Sequence, residues 1–258
     1  MDGVDRRDED RDGYRMSTLL LWNKTAREEV PAILLEPKEP IRQTVVWIDP
    51  AGKQALFDAS GAPAPAVRTL LSGGTAVLGI DLFGQGEFTP DGKPIEKAPL
   101  LTESHWDRYL GYTYGYNHSL FSKRVHDILT AVAYARKAGD GRRPVSLLGL
   151  RGAGAWVAAA YAQAGQAIHR AAIDTAGFRF AALDRLDHPD FLPGGAKYHD
   201  LPGIIALAAP GELWLAGEER VPGLVEGAYK AVGHPERLTA YRGAKSEVET
   251  KAVEWLLR

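Results

Sequence analysis

The stretch Gly149-Leu150-Arg151-Gly152-Ala153-Gly154 joins two segments of different character. The apolar residues 145–148 read as a buried strand, and the small residues 155–160 read as a helix. A strand, a tight glycine turn and a helix put the apex side chain, Arg151, at the head of the helix. Arginine has five donors and no acceptor, and it stays protonated. It cannot attack a carbonyl. Two readings stay open. Arg151 is an anion clamp for a carboxylate, phosphate or sulfate, where helix amides already favour negative charge. Or it is a structural arginine paired with a carboxylate such as Asp174 or Glu218.

Other groups could do chemistry. Asp174 ends the apolar run 171–173, and Glu218 and Glu219 follow the run 213–216. Lys245 lies in the loop 242–246 and could serve as a base only if desolvation lowered its pKa substantially. A surface lysine beside a helix cap is the simpler reading. Ser246-Glu247-Val248-Glu249 matches a capping box, with the serine hydroxyl on the Glu249 amide and the Glu249 side chain returning to Ser246. Seven histidines are present: His105, His118, His126, His169, His188, His199 and His234. A relocated Ser119–His pair, or a metal held by His188, Asp190 and His199, lacks diagnostic spacing. No metal and no cofactor is expected. Trp106, Tyr109, Tyr112, Tyr114 and Tyr116 crowd one connection, where they could stack on a sugar ring or fold onto the core.

The elements that must position these groups follow from patterning. Residues 19–22 and 30–35 flank a polar turn and suggest an antiparallel entry hairpin, with Pro31 placing the second strand near a sheet edge. Residues 44–49 and 75–81 read as buried strands, with a helix at 66–71 between them. Residues 84–115 form a long connection, a length that usually carries function or covers a site. A helix from Ser119 shows Phe121, Val125, Ile128, Leu129 and Val132 on one face. Strands at 145–150, 171–174, 212–216 and 238–241 then alternate with helices at 155–164, 204–208 and 221–232, and a last helix starts near Ser246. This alternation predicts an α/β fold, with a mostly parallel sheet covered on both faces after an antiparallel hairpin.

Composition fits that reading. The chain has 258 residues, 45% of them hydrophobic and 25% charged, as in one ordinary globular domain. The formal net charge of −2 gives no argument for nucleic acid or an anionic membrane. With no cysteine, thiolate chemistry and disulfides are excluded. No apolar run reaches the roughly 18 residues of a membrane helix. The charged residues 1–16 read as a solvated tail, or as the start of a piece of a longer protein, ahead of one domain over 17–258.

The ordered set of motifs resembles the α/β-hydrolase superfamily from about Thr18 onward. Asp49-Pro50-Ala51-Gly52 follows a strand where that family places its oxyanion loop. Asp81-Leu82-Phe83-Gly84-Gln85-Gly86-Glu87 is similar to its D-x-x-G-x-G-x-S turn. The turn around Arg151 matches the G-x-S-x-G nucleophile elbow, with arginine in place of serine. Tyr114-Gly115-Tyr116-Asn117 and Phe191-Leu192-Pro193-Gly194 draw the likeness toward bacterial acetyl-xylan-esterase-type hydrolases. The resemblance implies ligand or oxyanion contacts near Pro50, Ala51, Gly152, His118 and Trp106, and an acid at Glu218 or Asp174. It also implies a histidine in the last loop, which here holds Lys245 instead. The implied protein is of esterase lineage without the Ser–His pair, keeping a pocket at the strand ends for a small ester, sugar or anionic ligand. Two alternatives are an active hydrolase of short acyl or acetylated-carbohydrate esters with a relocated constellation, and a non-catalytic module of a larger esterase.

Overall fold

The computed structural model describes residues 3–99 and 109–258. Nine strands form one sheet in the order β1-β2-β3-β5-β4-β6-β7-β8-β9. The strands are β1 Gly3–Asp10, β2 Tyr14–Asn23, β3 Glu28–Pro37, β4 Gln43–Ile48, β5 Thr75–Ile80, β6 Val145–Gly149, β7 Arg170–Asp174, β8 Glu212–Ala216 and β9 Leu238–Ala240. β1, β2 and β3 run antiparallel, as does β3 against β5, and from β5 to β9 every pairing is parallel. The helices are α1 Pro65–Ser72, α2 Tyr109–Tyr116, α3 Leu120–Ala138, α4 Gly154–Ala164, α5 Asp200–Ala206, α6 Gly223–Ala231 and α7 Val248–Leu256.

The central strands are apolar on both sides because both are covered. In β4, Val46 and Ile48 join the core beneath α3 and α4, whereas Val45 and Trp47 face α1 and α7. This two-sided burial is why the strands read as continuous hydrophobic runs rather than alternating ones.

Two expectations change at the N-terminal side. The charged run read as a solvated tail contains strand β1, paired along its length with β2. Its charges suit the outer edge of a sheet, where they discourage further strand addition. Arg6 donates to Asp8 at 2.6 Å and reaches Glu36 at 3.2 Å, and Ser17 donates to Asp8 at 2.7 Å. β3 is therefore interior, not an edge. Pro31 is tolerated because the β3–β5 ladder starts one residue later, at Ala32, while the Pro31 carbonyl still accepts from Asp81 N–H at 2.9 Å.

Helix α3 is tied to the loop after β5 by buried polar groups. Phe83 N–H donates to Asp127 Oδ2 at 2.7 Å, and Arg124 Nε donates to the Phe83 carbonyl at 3.2 Å. Burial pushes the Asp127 carboxyl up to about 7, against the opposing pull of the Phe83 amide. The folded state thus keeps a proton that the unfolded chain has lost between 3.8 and about 7. Stability falls as pH rises through that window, by at most about 1.4 kcal/mol per pH unit, and this group adds no further change above it. Asp127→Asn keeps an acceptor for Phe83 and removes the titration. Urea unfolding at about pH 5 and about pH 8 is expected to show the variant's stability relative to wild type rising with pH. A difference that stays constant or shrinks contradicts the assignment.

Candidate functional site

Ile48 of β4 pairs with Gly149 of β6, so Asp49 and the glycine turn emerge side by side. From β4 the chain moves outward to β5, then crosses back to β6 on the other side of β4. The carboxyl ends of strands at such a reversal are the usual ligand position in sheets of this kind. The turn closes with Ala153 N–H donating to the Leu150 carbonyl at 3.0 Å. Arg151 sits in the left-handed region at φ 55 and Gly152 at φ 108. A left-handed non-glycine residue costs roughly 1–2 kcal/mol, so neighbouring contacts must hold it. Gly154 serves packing instead: a Cβ there would lie 2.0 Å from the Asp174 carbonyl, so only glycine lets α4 approach β7 this closely.

Those contacts are ionic. Arg151 Nε donates to Asp49 Oδ2 at 2.8 Å with Nη2 2.6 Å from the same oxygen, and Nη1 donates to Glu249 Oε2 at 2.6 Å. The Asp49 side chain is 5% exposed, that of Glu249 32% and that of Arg151 51%. Asp49 Oδ1 accepts the Ala51 amide at 2.9 Å. The arginine therefore bridges the loop after β4 to the first turn of α7, across the head of the sheet.

The partners expected for Arg151 are engaged elsewhere. Asp174 Oδ1 accepts the Ala176 amide at 2.9 Å. Glu218 receives Thr175 Oγ1 at 2.7 Å and a two-pronged clasp from Arg179 at 2.9 and 2.6 Å. A guanidinium held at both carboxylate oxygens has matched geometry that Arg151 could not improve. The capping box does not form either. α7 has Glu247 as its N-cap with no side-chain cap, and Ser246 is exposed. A charge-assisted bond to Arg151 holds Glu249 in place of a return bond to one backbone amide. Lys245 is exposed in the short 3-10 turn Lys245–Glu247.

Behind Asp49 lies a second polar knot. Asp81 accepts the amides of Lys53 and Glu87, each at 2.9 Å, together with the Lys53 ammonium, which also meets Glu87 at 2.6 Å. Gly52 at φ +70 and Gly86 at φ +56 wrap this carboxylate, and a Cβ on either would fall within 2.3 Å of it. Gln85 Nε2 donates to the Asp49 carbonyl at 3.1 Å. The Ala51 N–H is thus committed to Asp49, and Pro50 has no N–H to offer. Pro50 Cγ would lie 3.5 Å from a Cβ on Gly152, so the loop and the elbow nearly touch.

The remaining candidates scatter. Ser119 caps α3, its Oγ accepting the Ser122 amide at 3.2 Å. His118 beside it is exposed. His188 Nδ1 accepts the Asp190 amide at 3.0 Å, while Asp190 takes Trp156 Nε1 at 2.7 Å and lies 3.5 Å from Arg124. Among the described residues no group of three or more histidine, aspartate and glutamate side chains is placed to hold a metal. Tyr114 donates to the Leu186 carbonyl at 2.6 Å and packs on Phe191, so the long connection folds onto the later insertion. Tyr116 points into solvent. Trp106 and His105 lie outside the described residues, as do the side chains of Tyr109 and Tyr112. A cavity of about 600 Å³ lies between the β2–β3 turn, the loop after β5 and α3. A second of about 630 Å³, mostly apolar, runs between α3, α4 and α5 past His118 and His126.

No protein-family model and no curated protein sequence matches the chain. Solved structures do. A cold-adapted esterase from an Arctic intertidal metagenomic library aligns over 97% of this chain and 96% of its own, with 14% identity and a TM-score of 0.57. A glucuronoyl esterase from Solibacter usitatus aligns over 100% and 85%, with 12% identity and a TM-score of 0.57. Acetyl xylan esterase 1 from Thermoanaerobacterium sp. JW/SL YS485 aligns over 98% and 87%, with 11% identity and a TM-score of 0.55. The chain has the α/β-hydrolase fold.

Arg151 stands at the apex of the strained turn between β6 and α4. Sequence reasoning named Asp49 only as part of a loop, assigned Glu249 to a cap, and passed over Lys53 and Arg179. The one available signal was the arginine itself, since a fixed cation at the head of a sheet needs carboxylates near it. The burial difference between its two partners sets their weights. Asp49→Ala leaves the Ala51 amide unsatisfied and removes the buried half of the clamp, with an expected loss of about 1–3 kcal/mol. Glu249→Ala is expected to cost under about 1 kcal/mol. Urea unfolding of the two variants checks the order, and Glu249→Ala proving the more damaging would contradict the clamp as described.

Proposed function

We propose that this protein is of esterase lineage and has weak or no ordinary serine-esterase activity, its elbow having become an ionic clamp. The observation that carries this is the Arg151 fork closed on Asp49 and Glu249 at the strained apex. Acyl transfer on this fold needs an oxygen or sulfur nucleophile at that apex, and a base within hydrogen-bond reach to take its proton. Arg151 supplies neither a lone pair nor a vacancy for substrate. The loop 241–247 contains Tyr241, Lys245 and Ser246 but no histidine. A substrate directed at the elbow would meet a guanidinium already paired with two carboxylates, and the nearby Ala51 amide is already committed to Asp49. The esterase-named neighbours support the lineage, and the fold that remains is suited to holding a ligand rather than cleaving one.

The test is chemical. A serine-directed fluorophosphonate is expected to leave the folded protein unlabelled, and p-nitrophenyl acetate to be hydrolysed no faster than in buffer. Arg151→Ser is expected to add little, because the elbow would regain an oxygen without a base. Stoichiometric labelling that one serine substitution abolishes would overturn the proposal. So would a gain in hydrolysis of about a hundredfold or more from Arg151→Ser.

A further inference from the structure

The cavity beside the β2–β3 turn is built from unlike parts. One wall is aromatic: Phe83 and Phe88 meet edge to face at 5.5 Å, and Trp22 lines the same space. Trp22 Nε1 is buried and has no acceptor among the described residues. Three cations also line the cavity, namely Lys24, Arg27 and Lys123. None of them has a carboxylate within salt-bridge distance among the described residues, unlike Arg6, Arg124, Arg151 and Arg179. Lys123 Nζ instead lies 4.7 Å from the centre of the Phe83 ring. The turn that carries Lys24 and Arg27 is fixed in place. Asn23 accepts the Ala26 amide at 3.1 Å and donates to Thr130 of α3 at 3.3 Å.

We propose that this cavity binds a small organic carboxylate bearing a flat apolar ring. Its volume of about 600 Å³ falls in the range of small-molecule sites. The ring would lie against Phe83 and Phe88, where a flat apolar face is best matched. The carboxylate would take these cations, with Arg27 offering a two-pronged fork. The charge count favours a monoanion. The acidic residues lining the cavity are Glu28, Glu29 and Asp127. Glu28 is shared with His126 at 2.5 Å, and burial holds a proton on Asp127 up to about 7. Below about pH 7, where Asp127 is mostly neutral, three cations face two carboxylates, a surplus of one positive charge. A neutral Asp127 can also donate its own O–H to the incoming carboxylate. The inference is independent of what the elbow does.

Calorimetric titration of the intact protein at low salt tests it, with three probes. Benzoate supplies both ring and charge, benzamide the ring alone, and acetate the charge alone. Benzoate is expected to bind about tenfold or more tightly than either of the others. The double variant R27A/K123A removes two surface cations and is expected to lose about tenfold or more in benzoate affinity while keeping the wild-type Tm. Arg151→Ala is expected to leave that affinity unchanged, which separates this cavity from the elbow. Benzoate binding no better than benzamide or acetate would overturn the proposal. So would an affinity that survives R27A/K123A, or one that disappears with Arg151→Ala.

Discussion

The half-buried guanidinium of Arg151 is what the upper end of the sheet is organised around. It stands on a left-handed residue that would relax if nothing held it, and it is held from two sides. Asp49 brings the end of β4 against the elbow, and Glu249 brings α7 over the top. The two sides are unequal. Asp49 is desolvated, so its pairing with Arg151 and the Ala51 amide is obligatory, whereas Glu249 keeps much of its water. Gly154 lets α4 sit close against β7 directly behind the elbow, where a Cβ would push the helix outward. The second knot, Asp81 wrapped by Gly52 and Gly86, locks the loop that carries Asp49 to the loop after β5.

This arrangement commits the side chain at a strained turn to two carboxylates. On the α/β-hydrolase fold the elbow normally keeps its apex side chain free to meet substrate. Here the Arg151 guanidinium is held by Asp49 and Glu249, and the Ala51 amide is held by Asp49. An open, chemically mixed space lies beside the β2–β3 turn, where cations without carboxylate partners among the described residues converge with aromatic faces. The two regions share the loop after β5. Asp81 in that loop supports the elbow, while Phe83 lines the cavity and bonds to Asp127 of α3. The Arg151 guanidinium itself bonds to Asp49 and Glu249, neither of which lines the cavity.

Much of the fold was legible because its signals are local. The doubly buried runs around Val46, Leu147 and Leu213, and the glycine turn between β6 and α4, announce parallel strands with helical crossovers. Strand β1 was not legible, since charged residues disguise an edge strand as a tail and only its register with β2 gives it away. Pro31 misled in the other direction, because its missing N–H falls where the neighbouring ladder has not yet begun. At the site, the arginine was legible and its partners were not. Glu249 sits three residues after Ser246, which satisfies a capping signature. Its actual bond joins residues 98 apart in the chain, and nothing in local spacing reports that. Glu218 was in the expected place, but its two-pronged partner Arg179 lies in an insertion with no pattern of its own.

Arg151 and Asp49 act as one unit at the head of the sheet. A double-mutant cycle of Arg151→Ala and Asp49→Ala, read by urea unfolding near neutral pH, measures this directly. The expected result is a coupling energy of about 1 kcal/mol or more, with the double variant losing clearly less stability than the two single losses combined. Losses that add to within about 0.3–0.5 kcal/mol would mean that the two residues are independent, and would contradict the ionic clamp.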